Sequence, residues 1–451
     1  MTEAQALVCP TPRTPTDPES GRVIAKMLRE NAQNYGRTRG TIRMLRPLLG
    51  NGLLLSEGED WKHQRRTVAP AFAPRSIPLL ARQVAIAADA AVARLAASDE
   101  VLVDLLAAMQ ALALEIAGTS MFSLAMERHR PALRDLIMRY SAGVGRPTPL
   151  DFLLPLAIPS PRDLLRRRVR RRWVRLISRI IAERRGKASG AAPADLFDVL
   201  STARDPESGA PLSADDLVDQ VATLITAGHE TTGVALFWSL YLIAAAPAVQ
   251  ERLAAEVAAL DLGPDEADET LPRLVYTRAV VQEVMRLYPP VYAIVRQARS
   301  TDNADGLEVP AGAIVFIAPW VLHRHRRLWP QPEVFNPARF LPEAPEPDRF
   351  AYLPFGIGPR VCIGAQFALT EATLVLAKMI KAFEIGYADD LSVTPIGIIT
   401  TQPDHPPMFC LRPRHQWADG PYSYSDSLSR YRAYSPLPSR RASCRRRSRS
   451  M

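Results

Sequence analysis

Phe355-Gly356-Ile357-Gly358-Pro359-Arg360-Val361-Cys362-Ile363-Gly364 is the stretch from which the rest of the chain is read. A glycine-rich loop delivers one cysteine to the start of an apolar-periodic helix over about residues 365–383. The loop glycines admit backbone geometries that a side chain forbids. The helix start offers free N–H groups and the positive end of a dipole, both of which stabilise a thiolate at Cys362. Arg360 adds a positive charge two residues earlier. A thiolate held in this way serves as a nucleophile or as a soft metal ligand. A zinc site is disfavoured, because Cys9, Cys410 and Cys444 are far apart and show no ligand pairing. A dinucleotide loop is disfavoured as well, because Val361 stands where the third glycine would be.

Three other stretches carry chemistry. Residues 217–246 read as one long helix, apolar nearly all round and therefore buried. Its middle is Ala227-Gly228-His229-Glu230-Thr231-Thr232, where an ionisable Glu230 and a loosening Thr231 interrupt the apolar pattern. Such a local conflict marks a functional site. Ala227 and Gly228 leave room for a flat cofactor and a diatomic ligand. In a second helix, residues 276–287, Glu283 and Arg286 stand at i and i+3 and can pair. The helix stops at Pro289-Pro290, and Pro337-Ala338-Arg339-Phe340 follows downstream. Near the start, Trp61 and Arg65 stand at i and i+4 on a helix for which Asp60 is the expected N-cap. They can present an indole N–H and a guanidinium to one anion.

Together these stretches resemble the cytochromes P450, the haem-thiolate monooxygenases. Phe355, Gly358, Arg360, Cys362 and Gly364 match every fixed position of that family's cysteine loop, and residues 227–232 match its oxygen-binding motif. The resemblance covers about residues 18–414. It implies a mainly α fold with a small β region, in which the long central helix and the cysteine helix sandwich haem b. Cys362 would be the iron ligand. Trp61, Arg65, Arg296 and Arg360 would neutralise the propionates, with Phe355 and Gly364 shaping the loop. Thr231 would hydrogen-bond the activated oxygen and Glu230 would relay protons. Glu283, Arg286 and Arg339 would brace the haem loop. Ala227, Ala293, Ile294, Val295, Ile399 and Thr400 would line the substrate pocket.

The implied reaction inserts one atom of O2 into an apolar small molecule. With no flavin or nicotinamide domain in the sequence, the two electrons would come from a ferredoxin or flavodoxin with an NAD(P)H-dependent reductase. A peroxygenase, an isomerase or a haem-binding sensor would share Cys362, but the Glu230–Thr231 pair argues for oxygen activation.

At 47% apolar and 23% charged residues, the composition is that of a globular protein. The four scattered cysteines and the polar, proline-containing start suggest the cytoplasm, with no membrane span. Six of the nine net positive charges fall in residues 415–451, a Ser/Arg/Tyr-rich tail expected to be disordered, so the charge is no argument for a nucleic-acid partner. Residues 1–17 are expected to be disordered or extended, and the first strands of the sheet to be missing. An amphipathic, arginine-rich helix is expected over 162–185, with a solvated basic face opposite Val169, Trp173, Ile177 and Ile180. Before it, residues 152–158 form an apolar run expected to be an ordinary packed loop, long enough at most for contact with a membrane surface. His323 and His325 lie close together but have poor support as a metal site.

Overall fold

A computed structural model describes residues 7–8, 18–98, 102–122, 128–186, 195–388 and 393–414. The tail 415–451 and most of 1–17 lie outside the described residues. The long helix runs Ala214–Ala244. The Ser213 hydroxyl caps it by accepting the Asp216 N–H at 3.0 Å, and Asp215 and Asp216 complement the dipole in its first turn. Its second half is core on every side: Val234, Leu236, Phe237, Trp238 and Leu240 are all buried. Helix Leu105–Phe122 lies against it so closely that a Cβ on Gly233 would stand 2.9 Å from the Gln110 Cα. Trp238 ties this core to the C-terminal strands. Its indole donates to the Thr401 carbonyl at 2.8 Å and stacks on Tyr288 at 4.0 Å. The helix behind the cysteine, Ala365–Ala382, packs against the long helix and against helix Ile77–Ala96.

Helices Ile77–Ala96 and Leu105–Phe122 are separated by strand Val103–Asp104, which pairs with Met408–Pro413. The carboxylate of Asp104 accepts the Ala107 N–H at 2.9 Å and so starts the second helix afresh. The Trp61 helix begins earlier than expected, at Gly58–Val68, with Glu57 at the N-cap position. Asp60 sits inside the first turn, where its charge suits the dipole.

The first strands are present, though short. A four-stranded sheet runs in the order Leu7–Val8, Ile314–Ile317, Ile294–Ala298, Tyr35–Gly36. Leu7 pairs with Ile314 in parallel, and Tyr35 pairs with Ala298 antiparallel. Each outer strand has two residues, a length too small to show as period-2 alternation in the sequence. Between them the chain forms helix Pro18–Ala25 and a wider π-helical turn, Lys26–Glu30.

That turn abuts the cysteine loop. Gly358 has φ +79°, and a Cβ there would lie 1.9 Å from the Leu28 carbonyl oxygen. Gly358→Ala therefore combines a left-handed backbone cost with a backbone clash that no rotamer relieves. A loss of about 2–3 kcal/mol is expected in denaturant melts; a neutral result would mean that the loop and the early turn are not packed in this way.

Candidate functional site

The cysteine loop is held from several sides. The Cys362 N–H donates to the Phe355 carbonyl at 2.9 Å, closing the loop on itself. Arg65 donates from Nη1 to the Val361 carbonyl at 3.0 Å. The Arg360 guanidinium lies over the Trp61 ring, 4.5 Å from its centre, and donates to the Ser56 carbonyl at 2.8 Å. Trp61 and Arg65 thus share one helix face and both engage the loop. Gly364 occupies the N-cap position of the cysteine helix.

Cys362 is solvent-reachable, although its chain neighbours on both sides are only partly exposed. Burial pushes its thiol up, while the Gly364 N–H and the charge of Arg65 pull the other way. A side chain that is both crowded and reachable lines a hollow. The cation that reaches the thiol is Arg65, where the sequence pointed to Arg360. Arg360 is turned away, toward Trp61 and Ser56.

Arg360 belongs to a second group. Arg296 is buried, and desolvation and the Arg360 charge push it down to about 10. Arg37 is held well below the ordinary arginine range by burial and by the charges of Arg296 and Arg360. The acid that offsets this cluster is Glu57, which accepts the Arg37 backbone N–H at 2.6 Å and also pairs with Arg299. Arg37 Nε and Arg360 Nη1 are buried without a hydrogen-bond partner. Three guanidinium groups beside one carboxylate, with two orphaned N–H sites, form an anion seat, and the two propionates of a haem fit it. Arg37 escaped the sequence reading because it has no fixed spacing to the cysteine motif; only the sheet brings the end of strand Tyr35–Gly36 beside Arg296.

On the long helix, Ala227 is exposed, and a Cβ on Gly228 would meet nothing within 4 Å. Open space at the middle of a core helix is what a flat cofactor requires. The Thr231 hydroxyl donates to the Ala227 carbonyl at 2.7 Å. Glu230 accepts from the Thr400 hydroxyl at 3.0 Å and from Gln402 Nε2 at 3.4 Å, and Gln402 also donates to Thr400 at 2.8 Å. Thr400, expected as pocket lining, therefore holds the acid from the turn before strand Thr401–Pro403. Ile399 shares that turn. Ile294 lies near Gly356, 3.7 Å from where its Cβ would be. Strand alternation turns Val295 to the opposite face from Ile294 and Arg296, and Ala293 lies just before the strand.

Burial pushes the Glu230 carboxyl up, against the hydrogen bonds from Thr400 and Gln402. The folded protein keeps this proton at pH values where the unfolded chain has released it. Stability is therefore lost as pH rises from the ordinary glutamate range through the raised folded value. Glu230→Gln should gain stability relative to the parent as pH rises above the ordinary glutamate range, measured by denaturant melts at each pH. A constant difference would show that Glu230 is not raised.

The brace is complete. Glu283 and Arg286 are fully buried and paired through two hydrogen bonds, at 2.7 and 2.8 Å. Arg339 approaches Glu283 at 3.5 Å. Arg286 also donates to the carbonyls of His323 and Pro332. His323 was the missed member. Its Nε2 accepts the Leu353 N–H at 2.8 Å, so Nδ1 carries the hydrogen and donates to the Arg286 carbonyl at 3.2 Å. Burial pushes it down to about 3, which keeps it neutral in this bridge between scaffold helix and cysteine loop. Its neighbour His325 takes no part in this bridge, and no group of potential metal ligands occurs among the described residues.

The helical layers, the small sheets and the cysteine loop define a fold class, that of the haem-thiolate oxygenases. The cytochrome P450 family model matches residues 16–410, and the chain belongs to that family. It is 34% identical over 349 residues to cyclooctat-9-en-7-ol 5-monooxygenase of Streptomyces melanosporofaciens, covering 77% of this chain and 75% of that protein. It is 30% identical over 377 residues to pentalenene oxygenase of Streptomyces avermitilis, covering 81% of this chain and 80% of that protein. The crystal structure of the cytochrome P450DA heme domain superposes with a TM-score of 0.75 at 25% identity, covering 87% of this chain and 86% of that one. Family membership brings haem, dioxygen, redox partners and a small-molecule substrate; the protein is a haem monooxygenase.

Proposed function

We propose that Cys362 ligates the iron of a haem b whose propionates occupy the seat formed by Arg37, Arg296 and Arg360, and that the substrate is an apolar cyclic molecule. The observation that carries this reading is the excess of guanidinium charge, with orphaned N–H groups, beside a solvent-reachable cysteine. When bound, the haem supplies oxygen activation, with the electron donation of a thiolate behind it.

The chain's own residues do the rest. Arg65 offsets the negative charge of the thiolate through its hold on Val361. Arg37, Arg296 and Arg360 orient the macrocycle by charge-assisted hydrogen bonds. Glu230 holds a proton beside Thr231, and Thr400 and Gln402 keep its carboxyl in place. Thr231 can release the Ala227 carbonyl and turn its hydroxyl toward the open space at Gly228. Residues 18–414 act as one catalytic domain in the cytoplasm, served by a ferredoxin or flavodoxin with its reductase.

The relatives named for cyclooctat-9-en-7-ol and pentalenene favour cyclic alkenes and alkenols as first ligands in a screen for substrate-induced spin-state shifts. Thr231→Ala tests the proton path. Product formed per electron pair consumed should fall several-fold while reductant consumption continues. Unchanged coupling would remove Thr231 from the mechanism.

A further inference from the structure

Helix Gly58–Val68 brings Trp61 and Arg65 to the cysteine loop on one face. Its other flank is held by the carboxylate of Asp205. That residue is buried in the turn between helix Leu196–Thr202 and the long helix. Arg66 donates from Nε to one carboxylate oxygen and from Nη2 to the other, both at 2.8 Å, as a two-pronged charged pair. His63 donates its Nδ1 hydrogen to Oδ2 at 2.9 Å. The Glu207 N–H and the Ser208 hydroxyl, both at 3.1 Å, close the turn onto the same carboxylate. The Arg66 guanidinium, helped by His63, holds the Asp205 carboxyl well below the usual carboxylate range, so it stays ionised.

The turn is itself tied down. The Asp205 N–H donates to the Ala210 carbonyl at 2.9 Å, and the Gly209 N–H donates back to the Asp205 carbonyl at 2.8 Å. Arg204 pairs with Pro211 across it. Ser213, which caps the long helix, follows directly. Asp205 is therefore fixed relative to the helix that carries Glu230 and Thr231.

At 3.6 residues per turn, neighbouring side chains on a helix point about 100° apart and rotate together. With Arg66 pinned on Asp205, Arg65 is set toward the cysteine loop. There it donates to the Val361 carbonyl at 3.0 Å and brings its charge to Cys362. Neither Asp205 nor Arg66 bonds that loop among the described residues; their partners are each other, His63 and the turn.

From this geometry we propose that Asp205 is a positioning residue for the thiolate. Through Arg66 and His63 it fixes the rotation of helix Gly58–Val68, and so the distance between the Arg65 charge and the Cys362 sulfur. This rests on Cys362 being the iron ligand. A cation close to the sulfur draws electron density from the ligated thiolate and favours the ferrous state; a cation that drifts away favours the ferric state.

The test uses the full-length, haem-loaded protein and Asp205→Asn, which keeps the shape of the side chain and removes its charge. The ferric–ferrous midpoint potential should fall, because Arg65 is released from the sulfur. Direct loss of a negative charge would raise the potential instead, so the sign separates the two effects. Part of the thiolate band in the reduced carbonyl spectrum should be lost, and Asp205→Glu should restore most of both. In an Arg65→Gln background Asp205→Asn should add no further shift, because the group it acts through is gone. Arg66→Lys keeps the charge but loses the two-pronged pair. It should move the potential the same way by less, and it takes the place of Asp205→Asn should that variant fail to fold. If Asp205→Asn lowers only the melting temperature, with potential and band unchanged, the role is structural and the proposal fails. It fails equally if the potential rises, or if the shift persists undiminished in the Arg65→Gln background. A parent protein without the thiolate band overturns Cys362 as the ligand and this role with it, a failure visible before any variant is made.

Discussion

Replacing Cys362 by His abolishes the absorption band that thiolate-ligated haem shows when reduced under carbon monoxide, and turnover is lost with it. The expected effect is complete because no other cysteine among the described residues lies in the loop. Cys410, the other cysteine among the described residues, lies on strand Met408–Pro413 and not in the loop. The loop geometry is specific as well: the Cys362 amide is tied to Phe355, and Arg65 reaches the carbonyl of Val361 beside it. Histidine carries no negative charge to match Arg65, so the electronic effect of the ligand changes even where haem is retained. The reduced carbonyl spectrum of the purified variant decides the matter. A band unchanged from the parent would place the ligand elsewhere.

Glu283→Ala is expected to cost about 3–5 kcal/mol, because it leaves Arg286 buried with its carboxylate partner gone. The two side chains have no exposed surface, and the Asn336 N–H also loses its acceptor at Glu283, now held at 2.9 Å. Arg286 keeps its carbonyl contacts, but these satisfy hydrogen bonds and not charge. The brace runs from Arg286 through His323 to Leu353, just ahead of Phe355. Haem retention should therefore fall along with thermal stability. Denaturant melts and haem content of the purified variant measure both. A stable variant that holds its haem would mean that the carbonyl contacts alone position the loop.

The pieces of the site that were legible in the sequence are those packed into short windows. Cys362 and its glycines, Glu230 with Thr231, and Glu283 with Arg286 each lie within one turn or one loop, where spacing along the chain equals proximity in space. Arg37 and His323 were not legible. Arg37 joins Arg296 only because the sheet pairs Gly36 with Gln297, far away along the chain. His323 bridges two backbone groups, and backbone groups leave no mark in a sequence. Thr400 was noticed as pocket lining, but its bond to Glu230 was not legible, because the two are separated by 170 residues.

The arginine helix makes the same point from the surface. Its amphipathic period and its charge are plain in the residues themselves, since a helix fixes which side chains share a face. Which arginines are sunk and which are free depends on the acids that other segments bring. Asp151 and Asp163 draw Arg166 inward, and Asp219 takes Arg170. The leucines of the preceding loop are left outside because Arg43 and Arg166 bind its carbonyls and carboxylates from within.

By itself, the sequence determined the family, the long helix, the cysteine loop and the acid–alcohol pair, because local spacing and helical period encode them. Only the tertiary structure decided which cations meet the thiol and the anion seat, what holds Glu230, and which apolar side chains stay in water. Those outcomes depend on contacts between residues far apart in the chain, where burial and charge pairing are settled by the fold as a whole.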